Sequence, residues 1–276
     1  MWIGLVGSEM CIRDSSKGKL PFKGKGLSGC VDINSKSIEE QRRYGVERLA
    51  AAYRIFSGHG FDLGLVGHIS FRDPEFKDCF WINPLGYHFS QMKVSDLCLM
   101  NQNGELVYGK ERTGDAAQSI HSNIYKSRPD INAVAHAHPM YGKTFSTLNK
   151  ELKPITQDSC AFYKRTATFT DYDGVANGPD EGINIAKALA DKDFLILQNH
   201  GILTTGTMVE TTLWYFLNME EACKSQLLAE AVGEPIVIPD KVAIHTRDYV
   251  ANDLSAFASI QPLLDVLWEK EPEFLD

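Results

Sequence analysis

Residues 131–138 read INAVAHAH, an apolar run of strand length that closes on two histidines. A run of this kind, with Pro129 before it and Pro139 after it, is expected of a buried central strand. Side chains alternate across a strand, so His136 and His138 fall on one face, roughly 7 Å apart. A second run, DFLILQ at 193–198, has the same character and leads into Asn199, His200 and Gly201. Gly201 is expected to let the backbone turn sharply beside His200. Two buried strands ending in histidine therefore set the frame for the chain.

Working outward, shorter β-like runs occur at 68–71, 80–82 and 166–169, and a hairpin is expected with arms at 97–100 and 105–108. Ser37 and Glu40 make a capping-box pattern for a helix that Gly58 stops. Further helices are expected over 116–126, from Pro139, and from Pro179 and Asp180 through Ala190. Thr207 and Glu210 repeat the capping pattern ahead of a long helix to Val232, whose stripe Val209, Leu213, Phe216, Leu217 and Leu227 reads as core or subunit interface. After Gly233 the tail looks loop-rich, with one helical stretch at 261–268. The alternation implies an α/β fold, a sheet with helices on both faces. The expected division is a Gly/Lys/Ser-rich disordered leader at 1–36, a domain at 37–233 and a tail at 234–276 packing on it. Within the leader, SEMCIRDS at 8–15 resembles translated adapter sequence, and residues 1–15 carry no weight in this reading.

With 276 residues, 43% of them hydrophobic, the chain can bury a large core. A formal charge of −8 disfavours nucleic acid or an anionic membrane as partner, because both require a clustered basic face. No apolar run approaches the roughly 20 residues that span a bilayer. Six cysteines without a CxxC pair read as reduced thiols in a cytosolic protein.

Three strand-end imidazoles with an open fourth position form the ligand set of a catalytic divalent-metal site. Strand-end histidines also simply bond to loops, and spacing alone leaves both readings open. Gln157, Asp158 and Tyr163 lie in a loop after the metal strand and offer polar groups to a ligand, or to the loop backbone. His121, four residues from Tyr125, reads as packed. His59, His88 and His245 read as surface or core residues.

The strings GHISFRDP, INPLGYHF, YKSRPDINAVAHAHP, PITQDSCAFY and LQNHGILTTG together resemble the class II aldolase and adducin N-terminal family, over residues 64–233. The resemblance implies a three-layer α/β/α domain with a central mixed sheet, a homotetramer with sites between subunits, and a small-molecule substrate. It also implies that His136, His138 and His200 bind a divalent ion, most often zinc, with manganese, iron or cobalt as alternatives. In the family's aldolases that ion polarises a ketose carbonyl and stabilises an enediolate.

The departures are as informative. The family's acid/base glutamate corresponds to Ala117, which moves no proton. Asp115 is the nearby stand-in, unless it only caps the helix, and Gln118 is a further neighbour. His68 replaces an asparagine of the substrate-phosphate pocket, Leu85 a hydroxyl residue, and Asp115 and Ala116 two serines. A carboxylate there repels a phosphate dianion. The expected function is thus a metal-dependent carbon–carbon lyase, an aldolase or decarboxylase acting on a non-phosphorylated hydroxy-carbonyl or carboxylate substrate. The rival is a non-catalytic, adducin-like self-association domain with an actin-related role. The acidic end EKEPEFLD, where adducins carry a lysine-rich terminus, speaks for the enzyme.

Overall fold

In the computed structural model, which describes residues 35–172, 174 and 179–276, Ser37 caps the first helix, α1 (Ile38–Gly58). The Ser37 hydroxyl accepts from Glu40 N, and Glu40 Oε2 accepts from Ser37 N at 2.9 Å, the reciprocal pattern expected there. Leu49, Tyr53 and Phe56 recur along one face of α1 and are fully buried against the sheet.

The sheet has eight strands: β1 (His68–Arg72), β2 (Cys79–Ile82), β3 (Cys98–Asn101), β4 (Leu106–Tyr108), β5 (Ala133–Ala137), β6 (Thr166–Phe169), β7 (Phe194–Leu197) and β8 (Gly201–Gly206). Their order is β4-β3-β2-β1-β5-β8-β7-β6. Every pairing is antiparallel except β6 with β7, which α4 (Pro179–Leu189) separates in sequence, as a parallel crossover requires. The sheet is therefore mixed, as expected. One face packs on α1, α5 (Val209–Val232) and α7 (Asp253–Lys270), the other on α2 (Asp115–Ser127) and α4. The chain is a three-layer α/β/α domain. In β5, Ala133, Ala135 and Ala137 face the first core, while Val134, and with it His136, face the second.

Four local expectations need correction. Residues 201–206, GILTTG, form β8, a central strand between β5 and β7, so the second histidine run is one arm of a hairpin. The helix after Thr207 starts at Val209 behind Met208, and no side chain caps it. Thr207 Oγ1 instead donates to Asp253 at 2.7 Å, and Glu210 is buried against Arg48 at 2.8 Å. The tail is not loop-rich: α6 (Asp240–Val250) and α7 fill most of it, and Ile260, Leu264 and Phe274 join the main core. Asp115 is the first residue of α2 rather than its cap, which is Gly114. The leader, with Cys11 and Cys30, lies outside the described residues. Among the described residues, Cys79, Cys98, Cys160 and Cys223 are free and buried, and no helix is long and apolar enough to cross a membrane.

Candidate metal centre

The antiparallel register brings His68 of β1 directly opposite His136 of β5. His138 follows where β5 gives way to α3 (Met140–Ser146). His200 comes from the β7–β8 hairpin, whose turn is held by His200 N–H donating to Leu197 O at 3.0 Å and Asn199 N–H donating to Ser146 O at 3.0 Å. The sharp turn expected at Gly201 falls instead at Asn199, which adopts a left-handed φ of 57°, a conformation asparagine tolerates. Gly201 serves a different need. A Cβ there would stand 2.6 Å from Ala137 O and 3.1 Å from His138 Cδ2, so only glycine lets β8 lie this close to the ligand strand.

The rings of His136, His138 and His200 converge, with centroids 4.5–5.0 Å apart and candidate ligand nitrogens all within 4.8 Å of one another. His136 Nδ1–H donates to Ile202 O at 2.9 Å, which leaves Nε2 bare and aimed at the others. His138 Nε2 lies 3.1 Å from His136 Nε2. Two such nitrogens are held this close by a shared proton or a shared ion, and ligands on a tetrahedral ion with bonds of about 2.0–2.1 Å stand about 3.3 Å apart. Burial keeps all three rings neutral, the form that ligates: His136 is held well below its usual pKa, His138 is lowered, and His200 sits at about 4. Donor type, neutrality, spacing and the Ile202 buttress all fit a divalent cation.

The remaining candidates scatter. His68 is buried beside the triad, its ring 4.9 Å from that of His136. Asp115 is exposed, and its carboxylate bonds to Arg112 at 2.8 Å rather than to a histidine. Gln118 does not reach the centre: its Nε2 donates to Asn101 O at 2.8 Å, at the end of β3 remote from the histidine row. Gln157 and Asp158 are exposed at a 3₁₀ turn, where the Ser159 hydroxyl accepts from Ile155 N and Thr156 N. Tyr163 donates to Asp240 at 2.6 Å and fastens α6. The motif halves divide likewise. Gly67 and His68 lead into the site, whereas Asp73 accepts from Arg42, Trp81, Glu75 and Phe76 and is framework.

Three residues near the site escaped the sequence reading. His121, expected to be packed, is indeed fully buried, but its Nε2 lies 2.6 Å from His68 Nδ1. The signal for it was weak: Ala117, His121 and Tyr125 share one face of α2, four residues apart. Tyr172 brings its ring to 6.3 Å from His200 and is partly exposed. Lys143 on α3 carries a positive charge that depresses the His138 pKa after burial has done so, and it makes no ion pair among the described residues.

The profile of the class II aldolase and adducin N-terminal domain matches residues 47–227. Decarboxylase NovR of Streptomyces niveus is 38% identical over 236 residues, 85% of this chain and 87% of that protein. The 4-hydroxy-3-prenylphenylpyruvate oxygenase/4-hydroxy-3-prenylbenzoate synthase of Streptomyces roseochromogenus subsp. oscitans is also 38% identical, covering 85% of each. Among solved structures, that of an L-fuculose 1-phosphate aldolase from Glaciozyma antarctica PI12 superposes with a TM-score of 0.80 at 40% identity, over 87% of this chain and 95% of that one.

Proposed function

The chain belongs to the class II aldolase and adducin N-terminal domain family, and we propose that it is a metal-dependent carbon–carbon lyase for a non-phosphorylated hydroxy-carbonyl or carboxylate substrate. The convergence of three neutral imidazoles, His136 among them buttressed by Ile202 O, carries this reading. His136, His138 and His200 would hold the ion, zinc on the strength of the family resemblance, and a bound ion would supply Lewis-acid polarisation of a substrate oxygen. Beside it, Lys143 offers a cation to a substrate carboxylate, and the His68 ring lines the buried side. Proton movement falls to water, because Ala117 contributes none and the exposed Asp115 carboxylate is turned to Arg112.

Two relatives bear on the substrate. One is named a decarboxylase, and the other is named for an arylpyruvate and a benzoate, so an aromatic 2-oxo acid is the first substrate to try. The competitor is a phosphorylated aldol, since the Glaciozyma antarctica structure is that of an L-fuculose 1-phosphate aldolase. Leu85 and exposed Asp115, where the family's phosphate pocket has hydroxyl groups, weigh against it. The reading includes a homotetramer in the cytosol. The exposed apolar edge strand Leu106, Val107 and Tyr108 supports association, and buried free thiols support a reducing compartment.

Turnover of 4-hydroxyphenylpyruvate, assayed in air and under anoxia beside fuculose 1-phosphate, tests the assignment. The expected result is consumption of the oxo acid alone, with Lys143→Met raising KM roughly tenfold or more, as loss of a hydrogen bond to a charged group does. Turnover of the sugar phosphate alone would reverse it.

A further inference from the structure

Behind His68 runs a line of buried polar side chains that metal binding does not require. His68 Nδ1 lies 2.6 Å from His121 Nε2, His121 Nδ1 meets the Ser70 hydroxyl, and that hydroxyl lies 2.7 Å from the Tyr125 hydroxyl. All four residues are buried. Phe80 stacks on His121 with ring planes 20° apart. Arg72 fixes α2 against β1, donating from Nη2 to Tyr125 O and Arg128 O, both at 2.9 Å.

Three links join four groups, and each link holds one proton. Because the Ser70 hydroxyl can also accept from both sides, the protons can be arranged in three ways. If Ser70 accepts from both His121 and Tyr125, its own buried proton has no further partner among the described residues. If all three protons point away from the centre, His68 donates to His121, His121 to Ser70 and Ser70 to Tyr125. The Tyr125 proton then has only Asn132 O, at 3.4 Å, and that carbonyl already accepts from Arg72 N at 2.7 Å. A hydroxyl bond of that length lies outside the usual 2.5–3.0 Å range, so a buried donor would go unsatisfied. If they point toward the centre, Tyr125 donates to Ser70, Ser70 to His121 Nδ1 and His121 Nε2–H to His68 Nδ1, so that the Tyr125, Ser70 and His121 protons all find partners. The His68 proton is thereby left on Nε2, on a ring 4.9 Å from that of His136, where a ligand or water can accept it.

We propose that Tyr125, Ser70 and His121 are positioning residues that lock His68 as an Nε2–H donor to an anionic substrate oxygen, and so exclude it as a fourth metal ligand. A ring nitrogen that carries a proton has no lone pair to give an ion, but it can bond to a carboxylate or to charge developing on a substrate oxygen. The role in substrate binding rests on the metal-dependent reading above, whereas the tautomer does not.

Long-range ¹H–¹⁵N spectra of histidine-labelled protein, recorded metal-free and again with zinc, read the tautomers directly. The expected result is an Nε2–H form for both His68 and His121, with His68 free of zinc. An Nδ1–H form at His68, or a ligand shift there on adding zinc, would overturn the proposal. Binding of oxalate to zinc-loaded protein then separates orientation from packing. His121→Leu removes the donor to His68 and is expected to weaken oxalate roughly tenfold or more, the scale of one hydrogen bond to a charged group. His121→Gln, which can accept from Ser70 and donate to His68, is expected to restore most of the loss, with zinc stoichiometry unchanged in both. Equal losses in the two variants would reduce His121 to packing and defeat the proposal. Failure of the wild-type protein to take up zinc would count against the metal reading instead, and the metal-free spectra would still decide the tautomer.

Discussion

At the scale of single residues, the site depends on atoms that leave no room for others. Gly201 is the sharpest case, because a methyl group there would press on the Ala137 carbonyl, which is backbone and cannot swing away. Gly201→Ala is expected to cost about 1–3 kcal/mol of stability and to weaken zinc binding by pushing His138 off its position. A urea melt and a zinc titration of the variant check both effects, and unchanged zinc affinity would show that the close approach is not needed. Strand alternation and two apolar runs placed His136, His138 and His200 at strand ends, but the sequence joined them as one ligand set only through the family resemblance. His121 was not legible as part of the site. Its spacing from Tyr125 marks a helix face, but no local pattern says that β1, whose His68 and Ser70 lie 53 and 51 residues earlier in the chain, sits against that face. Gln118 and Tyr163 misled for the converse reason: polar residues near a motif found their partners in Asn101 and Asp240, elsewhere in the fold.

At the scale of elements, what holds the helix layer lies at the opposite end of the sheet from the histidines. Arg48 on α1 and Glu210 on α5 are both buried and bonded at 2.8 Å, with the Tyr44 hydroxyl also on the carboxylate. Glu210→Ala strands the guanidinium without its carboxylate and is expected to cost roughly 3–5 kcal/mol. Zinc stoichiometry should stay at the wild-type value in the folded fraction; a loss of zinc as well would mean that the two ends of the sheet are coupled. Thr207 and Glu210 matched a capping box in sequence, yet Glu210 is more strongly held by Arg48 than by a helix end. Strand β8 escaped because GILTTG is short and bounded by glycines, and its threonines bond to Thr212 O and Asp193 O rather than showing a polar face. Only the second half of helix α7 was read, at 261–268, because Pro262 sits inside the helix, where a helix usually stops. Here Gln261 Nε2 bonds to Phe257 O at 2.9 Å beside the interruption, and the apolar face of α7 buries against α5.

At the scale of the whole molecule, folding withdraws five histidines from water without charging them. Burial is the first cause of lowered pKa at each: His121 is held at about 3, His200 at about 4, His68 and His136 well below their usual value, and His138 below it. Unfolded, each takes up a proton near pH 6.5. Below that pH the unfolded chain binds more protons than the native one, so stability falls as pH falls. Each histidine kept neutral contributes a slope of about 1.4 kcal/mol per pH unit, beginning near pH 6.5 and ending as the pH passes through its folded value. The metal-free protein is therefore expected to hold its melting temperature above pH 7 and lose it steeply from pH 6.5 toward 4. A flat profile across that range would contradict the buried, neutral cluster. The layered fold itself was readable from the alternation of runs. The pairing of β1 with β5, which creates the cluster, was not, because antiparallel register between distant strands is set by the assembled core.

The most direct measurement is elemental analysis of protein purified without a metal-binding tag, beside a His136→Ala/His138→Ala double variant. Near-stoichiometric divalent metal in the wild type, absent from a variant that still folds, is the predicted result. A wild-type protein that carries no metal and takes up none when zinc, manganese, iron or cobalt is supplied would contradict it.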